Sequence, residues 1–552
     1  ILRDKFQFNG TVISDWGAVS NRVEALKAGL DLEMPGSLSY VDIIEAVQNQ
    51  RLSEEDLNQA VASVLKLYQA RPKFDNKKNL SFHFLAKQAA LESIVLLKND
   101  NQVLPLNKNE RIGIVGNSLM RIQGAGSSKV NPKQVDVFLD CLKEEGVSYQ
   151  CFEDITDDIQ KMDKLICFIG LPSEKEIEGK DRKDLKLDEK DIELVNKLTK
   201  LHSKVIVVLT TGSVVELPFI ESISGLVLTY LAGEASASAV CDILYNKTNP
   251  SGHLAETWIK SLEDSPVYDY GKFVYQSIYK ESIFVGYRYY DKVGIEPLFP
   301  FGYGLSYSTF TLSHFEIKEN NLYVNIKNTG LYKGKEVVQL YVRDTNRDLL
   351  RPIRELKAFQ KVELEPNEEI RVVFPIKDFF FEYYDASKKE FMVSGGNYIL
   401  EVGTSSRDII LSREYKVDKP IIKQEITAYH SMQGIREITK QDFEGIYGRP
   451  IPSLPKKYPF TLDSPMIDVQ TKWIGKIFVH FGVKALKKRS KTLEEFEMNK
   501  YTFMTGPIRM IGMGVNKTNH QLEGIVDILN GKIIRGAIRF LKKDKRMKKL
   551  KQ

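Results

Sequence analysis

The sequence predicts a multidomain protein in which α/β domains are followed by an all-β domain and a mainly helical C-terminal segment. Its 552 residues are enough for about three or four domains of roughly 100–200 residues. Apolar strand-like runs alternate with helical stretches up to about residue 260, and from Phe310 onward short strands recur without helices. No run approaches the ~20 apolar residues of a membrane-spanning helix, so we expect no integral membrane protein.

Residues 1–75 form the first predicted domain. The β-branched run at 10–14 (Gly-Thr-Val-Ile-Ser) predicts a buried strand that opens into a loop, and helical stretches follow at 22–29 and 40–68. A second short strand is expected at 30–35. Two such units cannot close a barrel or cover both faces of a parallel sheet, so we expect most of this domain to lie upstream.

Residues 76–262 form a second α/β domain with a mostly parallel sheet, because strands alternate with helices of crossover length. The strand-like runs are 112–115, 165–170, 205–210 and 225–230, and the helical stretches include 86–97, 188–201 and 235–245.

Three segments follow. Residues 263–305 are predicted to be a linker, and residues 306–417 a β-sandwich of the immunoglobulin or fibronectin type III kind. Residues 418–552 form a C-terminal extension with helical segments at 467–489 and 523–543.

Charge is distributed unevenly. The formal net charge is +6, yet residues 481–552 carry 18 Lys and Arg against six Asp and Glu, which leaves −6 for the rest. Such a basic amphipathic tail either contacts an anionic membrane surface weakly or docks on its own protein by its apolar stripe, and we favour docking. Few aromatic residues accompany the cations, so no nucleic-acid partner is expected. The oligomeric state is not indicated.

No cofactor or metal site is predicted. The glycines around 112–116 and 124–126 lack the spacing of a dinucleotide fingerprint, and the seven histidines show no ligand spacing. The four cysteines form no Cys-x-x-Cys pair, and most of them lie in apolar stretches. Buried reduced thiols favour a reducing compartment, so we expect a cytoplasmic protein.

Asp15 is the first candidate catalytic residue. It follows the predicted strand at 10–14 and precedes Trp16, at the strand end where parallel α/β folds place their reactive side chains. There an ionised Asp can act as a nucleophile, and the indole can stack on a sugar. The alternative is an N-cap for the next helix, which Ser14, Asp15 and Ser20 all suit.

The second candidate region is the loop at 172–187, which is long for a compact domain. Glu174, Glu176 and Glu178 alternate along it and could raise each other's pKa, as a general acid requires. The alternative is a solvated loop of mixed charge.

The motifs taken together closely resemble glycoside hydrolase family 3, the β-glucosidase family, and their order along the chain makes coincidence implausible. They are GTVISDWGA at 10–18, KAGLDLEMPG at 27–36, ESIVLLKN at 92–99, QGAGSS at 123–128, EIEGKDR at 176–182, NPSGHLAETW at 249–258, FVGYRYYD at 284–291 and PLFPFGYGLSY at 297–307.

The resemblance implies a (β/α)8 barrel, of which 1–75 is the C-terminal remnant, an α/β sandwich domain and a fibronectin type III-like domain. It implies that Asp15 is the nucleophile and that Trp16 lines the aglycone side. Glu178 is the expected acid/base, with Glu176 as the alternative, because spacing does not choose between them. A retaining double displacement is then expected, with the two carboxyl groups about 5–5.5 Å apart once substrate has organised the site and the loop covers the barrel mouth.

The implied substrate is an oligosaccharide or β-glucoside with a terminal β-D-glucosyl residue. The first six barrel strands of the family are absent from this sequence, so we expect the 552-residue chain alone to be inactive. Alternatives are a β-xylosidase, an α-arabinofuranosidase or a non-catalytic glycan-binding protein.

Overall fold

A computed structural model describes residues 2–4, 6–36, 40–71, 82–117, 119–127, 129–178, 181–268, 278–346, 348–454, 456–512 and 517–542. The chain divides into two compact units. The first contains Ile1–Leu80, Val274–Gln276 and Ser453–Gln552, and the second contains Ser81–Phe273 and Ser277–Pro452. Parts of the predictions for the linker, the glutamate loop and the basic tail (269–277, 179–180 and 543–552) lie outside the described residues.

The N-terminal part of the first unit consists of three helices and one short pairing of extended segments. Ile13 forms a single parallel bridge with Leu32. The buried strand predicted at 10–14 is therefore wrong: no second described segment pairs with it, and Ile13 stays 47% exposed. The helices are α1 (Arg22–Lys27), α2 (Tyr40–Gln48) and α3 (Glu54–Gln69).

The single helical stretch predicted at 40–68 is in fact the pair α2 and α3. Gln50 adopts a positive φ of 57°, a conformation that a right-handed helix does not contain. Ser53 then caps α3, because its side chain accepts a hydrogen bond from the backbone N–H of Asp56 at 3.0 Å.

The C-terminal part of the first unit is a group of helices with its own apolar core, which includes Met466, Val469 and Leu522. Two of the helices cross closely at Gly524 and Gly536, where an added Cβ on either glycine would lie within 2.6 Å of the other's carbonyl oxygen. The helices are Met466–Val469, Trp473–Arg489, Leu493–Thr505, Asn519–Leu529 and Ile533–Leu541. No helix among the described residues has the length and apolarity to cross a membrane.

The second unit begins with a six-stranded sheet in the order β1-β6-β5-β4-β2-β3. All neighbouring strands are parallel except β1, which pairs antiparallel with β6 at the edge. The mostly parallel sheet predicted for this domain is present. The strands are β1 (Val95–Asn99), β2 (Ile112–Gly116), β3 (Tyr149–Phe152), β4 (Lys164–Gly170), β5 (Val205–Thr210) and β6 (Gly225–Leu228).

The helix predicted at 86–97 is wrong at its C-terminal end. Helix α4 (His83–Ser93) stops there, and the apolar residues after Ile94 form β1. Val95, Leu96 and Leu97 are all buried, which suits a strand covered on both faces better than one stripe of a helix.

Helices cover both faces of this sheet. Alternate side chains of β4 point into two apolar clusters, with Cys167 in one and Phe168 in the other. Helix α6 (Glu189–Leu201) packs on the Cys167 face, whereas α4, α5 (Phe138–Glu145) and α7 (Ser236–Leu244) pack on the Phe168 face. The result is a three-layer α/β domain.

The chain reverses its direction of travel across this sheet at β2. From β2 it proceeds to β3 on one side, and it then returns to β4 on the other side. Ligands of open α/β sheets bind at such a switch point, outside the carboxyl ends of the strands. The loops that follow β2 and β4 both start there.

A β-sandwich follows the short helix α8 (Tyr287–Val293). Its sheets have the orders β10-β9-β14-β15 and β11-β8-β7, and β12 and β13 form a separate hairpin. Residues of β8 alternate between half-buried and buried along its whole length, as expected for one face on a core. The strands are β7 (Phe310–Lys318), β8 (Asn321–Asn328), β9 (Gly334–Asp344), β10 (Glu355–Leu364), β11 (Glu369–Pro375), β12 (Glu382–Asp385), β13 (Glu390–Val393), β14 (Gly396–Gly403) and β15 (Ile409–Val417).

The predicted C-terminal extension is divided between the two units. Its first part, up to Pro452, belongs to the second unit. There the helix Ala428–Ser431 packs on α8 through a cluster that includes Tyr429 and Tyr289. The helix Lys440–Tyr447 packs against the same cluster.

Candidate active site

Asp15 lies in the exposed turn that follows the paired segment of the first unit. Its Oδ1 accepts a hydrogen bond from the backbone N–H of Trp16 at 2.6 Å. Helix α1 is capped by Asn21, whose side chain accepts from Val23 and Glu24, so the alternative role of Asp15 as the N-cap is wrong. The Trp16 side chain is 72% exposed. Both side chains are therefore open to a ligand.

The segment before Asp15 is held by a buried carboxylate that sequence reasoning did not single out. Asp31 is buried, and its Oδ2 accepts from the backbone N–H of Val12 at 2.8 Å and from Arg3. Arg22 donates to the carbonyl oxygens of Leu30 at 3.2 Å and Asp31 at 3.0 Å. The sequence carries no clear signal for this burial, because the contacts of Asp31 with Val12 and Arg3 come from residues distant along the chain.

The glutamate loop leaves the carboxyl end of β4. Ile177 is buried and forms a parallel bridge with Ala125 in the loop that follows β2. The backbone N–H of Ala125 donates to the carbonyl of Glu176, and the N–H of Glu178 donates to the carbonyl of Ala125, both at 3.2 Å. This pairing fixes both glutamates relative to the loop after β2.

Glu176 is held on every side. It forms an ion pair with Arg121, and its Oε1 accepts from the Gly212 N–H at 2.8 Å and from the hydroxyls of Thr211 and Ser213, each at 3.3 Å. Its side chain is only 9% exposed. These donors fix the position of the Glu176 carboxylate.

Glu178 has a different environment. It is exposed, and its Oε2 accepts from the backbone N–H of Ser127 at 2.7 Å and from the Ser127 hydroxyl. These hydrogen bonds hold the pKa of Glu178 below its usual value. The expectation that neighbouring glutamates raise this pKa is therefore wrong for Glu178, because the two Ser127 donors stabilise its ionised form.

Gly126 allows this contact. Its φ is +120°, and a Cβ at that position would lie 2.5 Å from the Cβ of Glu178. The motif at 123–128 belongs to the family resemblance, but the sequence alone indicates no role for Gly126, Ser127 or Arg121. The order of the strands brings these residues to the glutamates, because β2 and β4 are neighbours and the loops that follow them leave the sheet side by side.

A cavity of about 280 Å³ lies at the same edge of the sheet. It is lined by Arg121, by the strand ends at Gly170 and Thr210, and by Asp191 of α6. Burial raises the pKa of Asp191. Among the described residues, no group of three or more His, Cys, Asp or Glu side chains is arranged to hold a metal ion.

Comparison with known proteins decides the family. Residues 94–307 match the C-terminal domain of glycosyl hydrolase family 3, and residues 336–406 match a fibronectin type III-like domain. A solved structure, the family 3 β-glucosidase of Bifidobacterium adolescentis, is 30% identical and superposes with a TM-score of 0.70. The match covers 87% of this chain and 70% of that one. The chain belongs to glycoside hydrolase family 3.

Curated relatives agree with this assignment. The thermostable β-glucosidase B of Acetivibrio thermocellus is 38% identical over 474 residues, which cover 79% of this chain and 62% of the relative. An exo-α-(1→6)-L-arabinopyranosidase of Bifidobacterium breve is 35% identical, with 74% of this chain and 59% of the relative covered. The chain thus spans about six-tenths of the length of these relatives. The predicted resemblance, the α/β domain and the fibronectin-like sandwich of this family 3 protein are confirmed.

Proposed function

We propose that this family 3 protein is a retaining glycosidase that releases terminal non-reducing β-D-glucosyl residues from oligosaccharides or β-glucosides. Relatives named β-glucosidases support the substrate class. The observation that carries the proposal is the contrast between two glutamates of one loop. Glu176 forms an ion pair with Arg121, whereas Glu178 is exposed and accepts hydrogen bonds from the uncharged donors of Ser127.

The proposed chemistry uses two carboxyl groups and no cofactor. Asp15 attacks the anomeric carbon while Glu178 gives a proton to the leaving glycosidic oxygen, and a covalent glycosyl-enzyme forms. The hydrogen bonds from Ser127 hold the pKa of Glu178 low in the free chain, so bound substrate has to displace or outweigh them for Glu178 to carry that proton. Glu178 then takes a proton from water, which attacks the same carbon and releases the sugar with retained configuration. Trp16 offers its exposed indole face to the aglycone.

Glu178 is the better candidate acid/base for a physical reason. A general acid has to exchange its proton at every turnover, which requires an accessible carboxyl group without a fixed cation. Glu176 is paired with Arg121 and accepts from three further groups, so protein donors already occupy both of its carboxylate oxygens. We assign Glu176 a positioning role, in which it holds the loop that carries Glu178.

The same proposal extends to the remaining parts of the chain. Residues 1–75 are proposed to be the C-terminal end of a (β/α)8 barrel, supported by the motif around Asp15 and by α1 to α3. The basic helices after residue 453 are proposed to form an extension outside the catalytic domains. A cytoplasmic location is also proposed, supported by four cysteines that are all free.

A second candidate activity is supported by one comparison. Relatives 33–35% identical to this chain are named exo-α-(1→6)-L-arabinopyranosidases, so a terminal arabinosyl residue is the main rival to glucose. The β-xylosidase, the α-arabinofuranosidase and the non-catalytic glycan-binding protein remain alternatives.

Trapping the glycosyl-enzyme tests the proposal directly. The full-length protein is incubated with an activated 2-deoxy-2-fluoro-β-D-glucoside, and its peptides are analysed by mass spectrometry. We expect a fluoroglucosyl label on Asp15. In a separate assay with nitrophenyl glycosides, we expect faster release of nitrophenol from the β-D-glucoside than from the α-L-arabinopyranoside or the β-D-xyloside. Turnover accompanied by a label on another carboxylate contradicts the assignment of Asp15. If one of the two pentosides is hydrolysed faster than the β-D-glucoside, that pentosyl residue, and not glucose, is the substrate.

A further inference from the structure

A second cleft lies in the second unit, against the β12–β13 hairpin. Its volume is about 830 Å³, within the range of about 300–1,000 Å³ that small-molecule sites occupy. Phe379, Tyr384 and Phe391 line it and are each about half exposed. Clustered apolar side chains that remain exposed in a folded protein mark contact sites. We call this site the aromatic cleft.

The aromatic side chains sit on a fixed support. Tyr384 and Phe391 face each other across the hairpin, with ring centroids 5.2 Å apart at an interplanar angle of 68°. Arg351 ties the start of the hairpin down, because its guanidinium donates to the carbonyl oxygens of Phe381 at 3.1 Å and Glu382 at 3.0 Å. The rings are therefore held in place before any ligand arrives.

The polar lining is balanced in charge. Glu355 accepts a hydrogen bond from Arg351 at 3.1 Å and forms an ion pair with Lys357 at 3.4 Å. Lys357 is largely buried, and this burial lowers its pKa. The lining contains three cations (Arg288, Arg351 and Lys357) and three carboxylates (Glu355, Glu382 and Glu425).

This combination selects a class of ligand. An anion would meet the carboxylates and a cation would meet the guanidinium and ammonium groups, so the balance favours a neutral ligand. Exposed ring faces beside charged hydrogen-bonding groups suit a molecule that has both apolar C–H faces and many hydroxyls. Carbohydrate has both, and the volume admits more than one sugar ring.

We propose that the aromatic cleft is a binding site for a neutral oligosaccharide, separate from the glutamate loop. The choice of a β-glucan as the oligosaccharide rests on the proposed function, whereas the inference that the cleft binds a neutral oligosaccharide does not. It would hold a longer substrate on the protein while terminal residues are released elsewhere.

Binding to defined glucans tests this inference. The 552-residue chain is titrated with cellohexaose and run in native gels that contain barley β-glucan. We expect the Tyr384→Ala/Phe391→Ala variant to bind at least about tenfold more weakly, whereas Tyr384→Phe keeps most of the affinity because the ring remains. Phe359→Ala is the matched control, since Phe359 is an exposed ring of β10 outside the cleft lining. It should change the affinity less than about twofold.

Hydrogen exchange provides a measurement that needs no cleft variant. Saturating cellohexaose should slow exchange in peptides covering 379–393, in the wild type and equally in Asp15→Asn. Protection absent from these peptides, unchanged binding by the double variant, or a preference for an anionic glycan would each overturn the inference. Self-association through the cleft, seen as a dimer that Tyr384→Ala/Phe391→Ala dissolves, would overturn it too. An Asp15→Asn protein that still turns over β-glucosides contradicts the proposed function and leaves binding at the cleft unaffected.

Discussion

The segment around Asp15 and the loop around Glu176 and Glu178 carry the candidate carboxylates in very different ways. The glutamate loop leaves one strand of a six-stranded sheet and pairs with the loop after a neighbouring strand. The Asp15 segment has a single bridge, from Ile13 to Leu32, and the buried Asp31 carboxylate. A sheet positions the glutamate loop, whereas side-chain contacts hold the Asp15 segment.

The difference separates two properties that a sequence motif combines. A motif gives the residue types that lie at a site, and both regions match the corresponding family motifs, at 10–18 and at 176–182. How firmly each carboxylate is held depends on contacts between distant parts of the chain. Mutations in the two regions should accordingly differ in their balance between lost chemistry and lost stability.

The largest effect is expected from Asp15→Asn. Removal of the proposed nucleophile leaves no group to form the glycosyl-enzyme, so turnover of an aryl β-glucoside by the full-length protein should fall by at least about 10³-fold. Stability should change little, because Asp15 is exposed. Glu24→Gln, a change at an exposed carboxylate of the same unit, should leave turnover near the wild-type value. Comparable activity in the two variants would remove Asp15 from the mechanism.

Replacement of Glu178 by Ala should give a smaller loss that depends on the leaving group. A poor leaving group needs a proton from the general acid, so hydrolysis of a glucoside with such a leaving group should slow about 10²–10⁴-fold. A dinitrophenyl leaving group needs no proton, so its glucoside should form the glycosyl-enzyme at a near-normal rate. Azide should restore turnover and yield the β-glucosyl azide. Glu174→Ala changes an exposed glutamate of the same loop and serves as control. If Glu176→Ala instead shows the leaving-group pattern and the azide product, the two glutamates exchange roles.

The third effect concerns stability. Arg121→Met leaves the largely buried Glu176 carboxylate without its cation, so the free energy of unfolding should fall by about 3 kcal/mol, measured by urea titration. Arg111→Met breaks an exposed pair with Asp163 and should cost less than about 1 kcal/mol. Adding Glu176→Met to Arg121→Met should recover part of the loss, because no unpaired charge then stays buried. Equal losses from Arg121→Met and Arg111→Met would show that Glu176 is not anchored by its pair.

Prediction from sequence succeeded where one continuous pattern was enough. The strands β2, β4, β5 and β6 are short apolar runs, each preceded by a polar residue, and the sequence analysis predicts a strand at each of them. The run after Ile94 was misassigned, because apolar residues that follow a helix without a break keep its apparent period. Only pairing with β6, more than a hundred residues away, turns that run into β1.

The site shows the same limit. Glu176 and Glu178 were found as a pair, but the sequence did not separate their roles, because the groups that do so lie about fifty residues upstream. Arg121 and Ser127 reach the glutamates only because β2 and β4 are neighbours in the sheet. The motif around Asp15 predicts a catalytic residue after a buried strand, yet the segment before Asp15 forms only a single bridge, because sequence does not show how many pairing partners a segment will have.

The smallest predicted effect is a shift in a pH profile. The Ser127 hydroxyl and N–H stabilise ionised Glu178 and hold its pKa low. Ser127→Ala removes the hydroxyl and keeps the N–H, so this pKa should rise part of the way toward its usual value. A general acid works only while protonated, so the alkaline limb of kcat should move to higher pH by the same amount. Ser213→Ala removes a hydroxyl from Glu176 instead and should leave that limb in place. A shift produced by Ser213→Ala and not by Ser127→Ala would make Glu176 the proton donor, and the more firmly held of the two glutamates would then be the one that titrates.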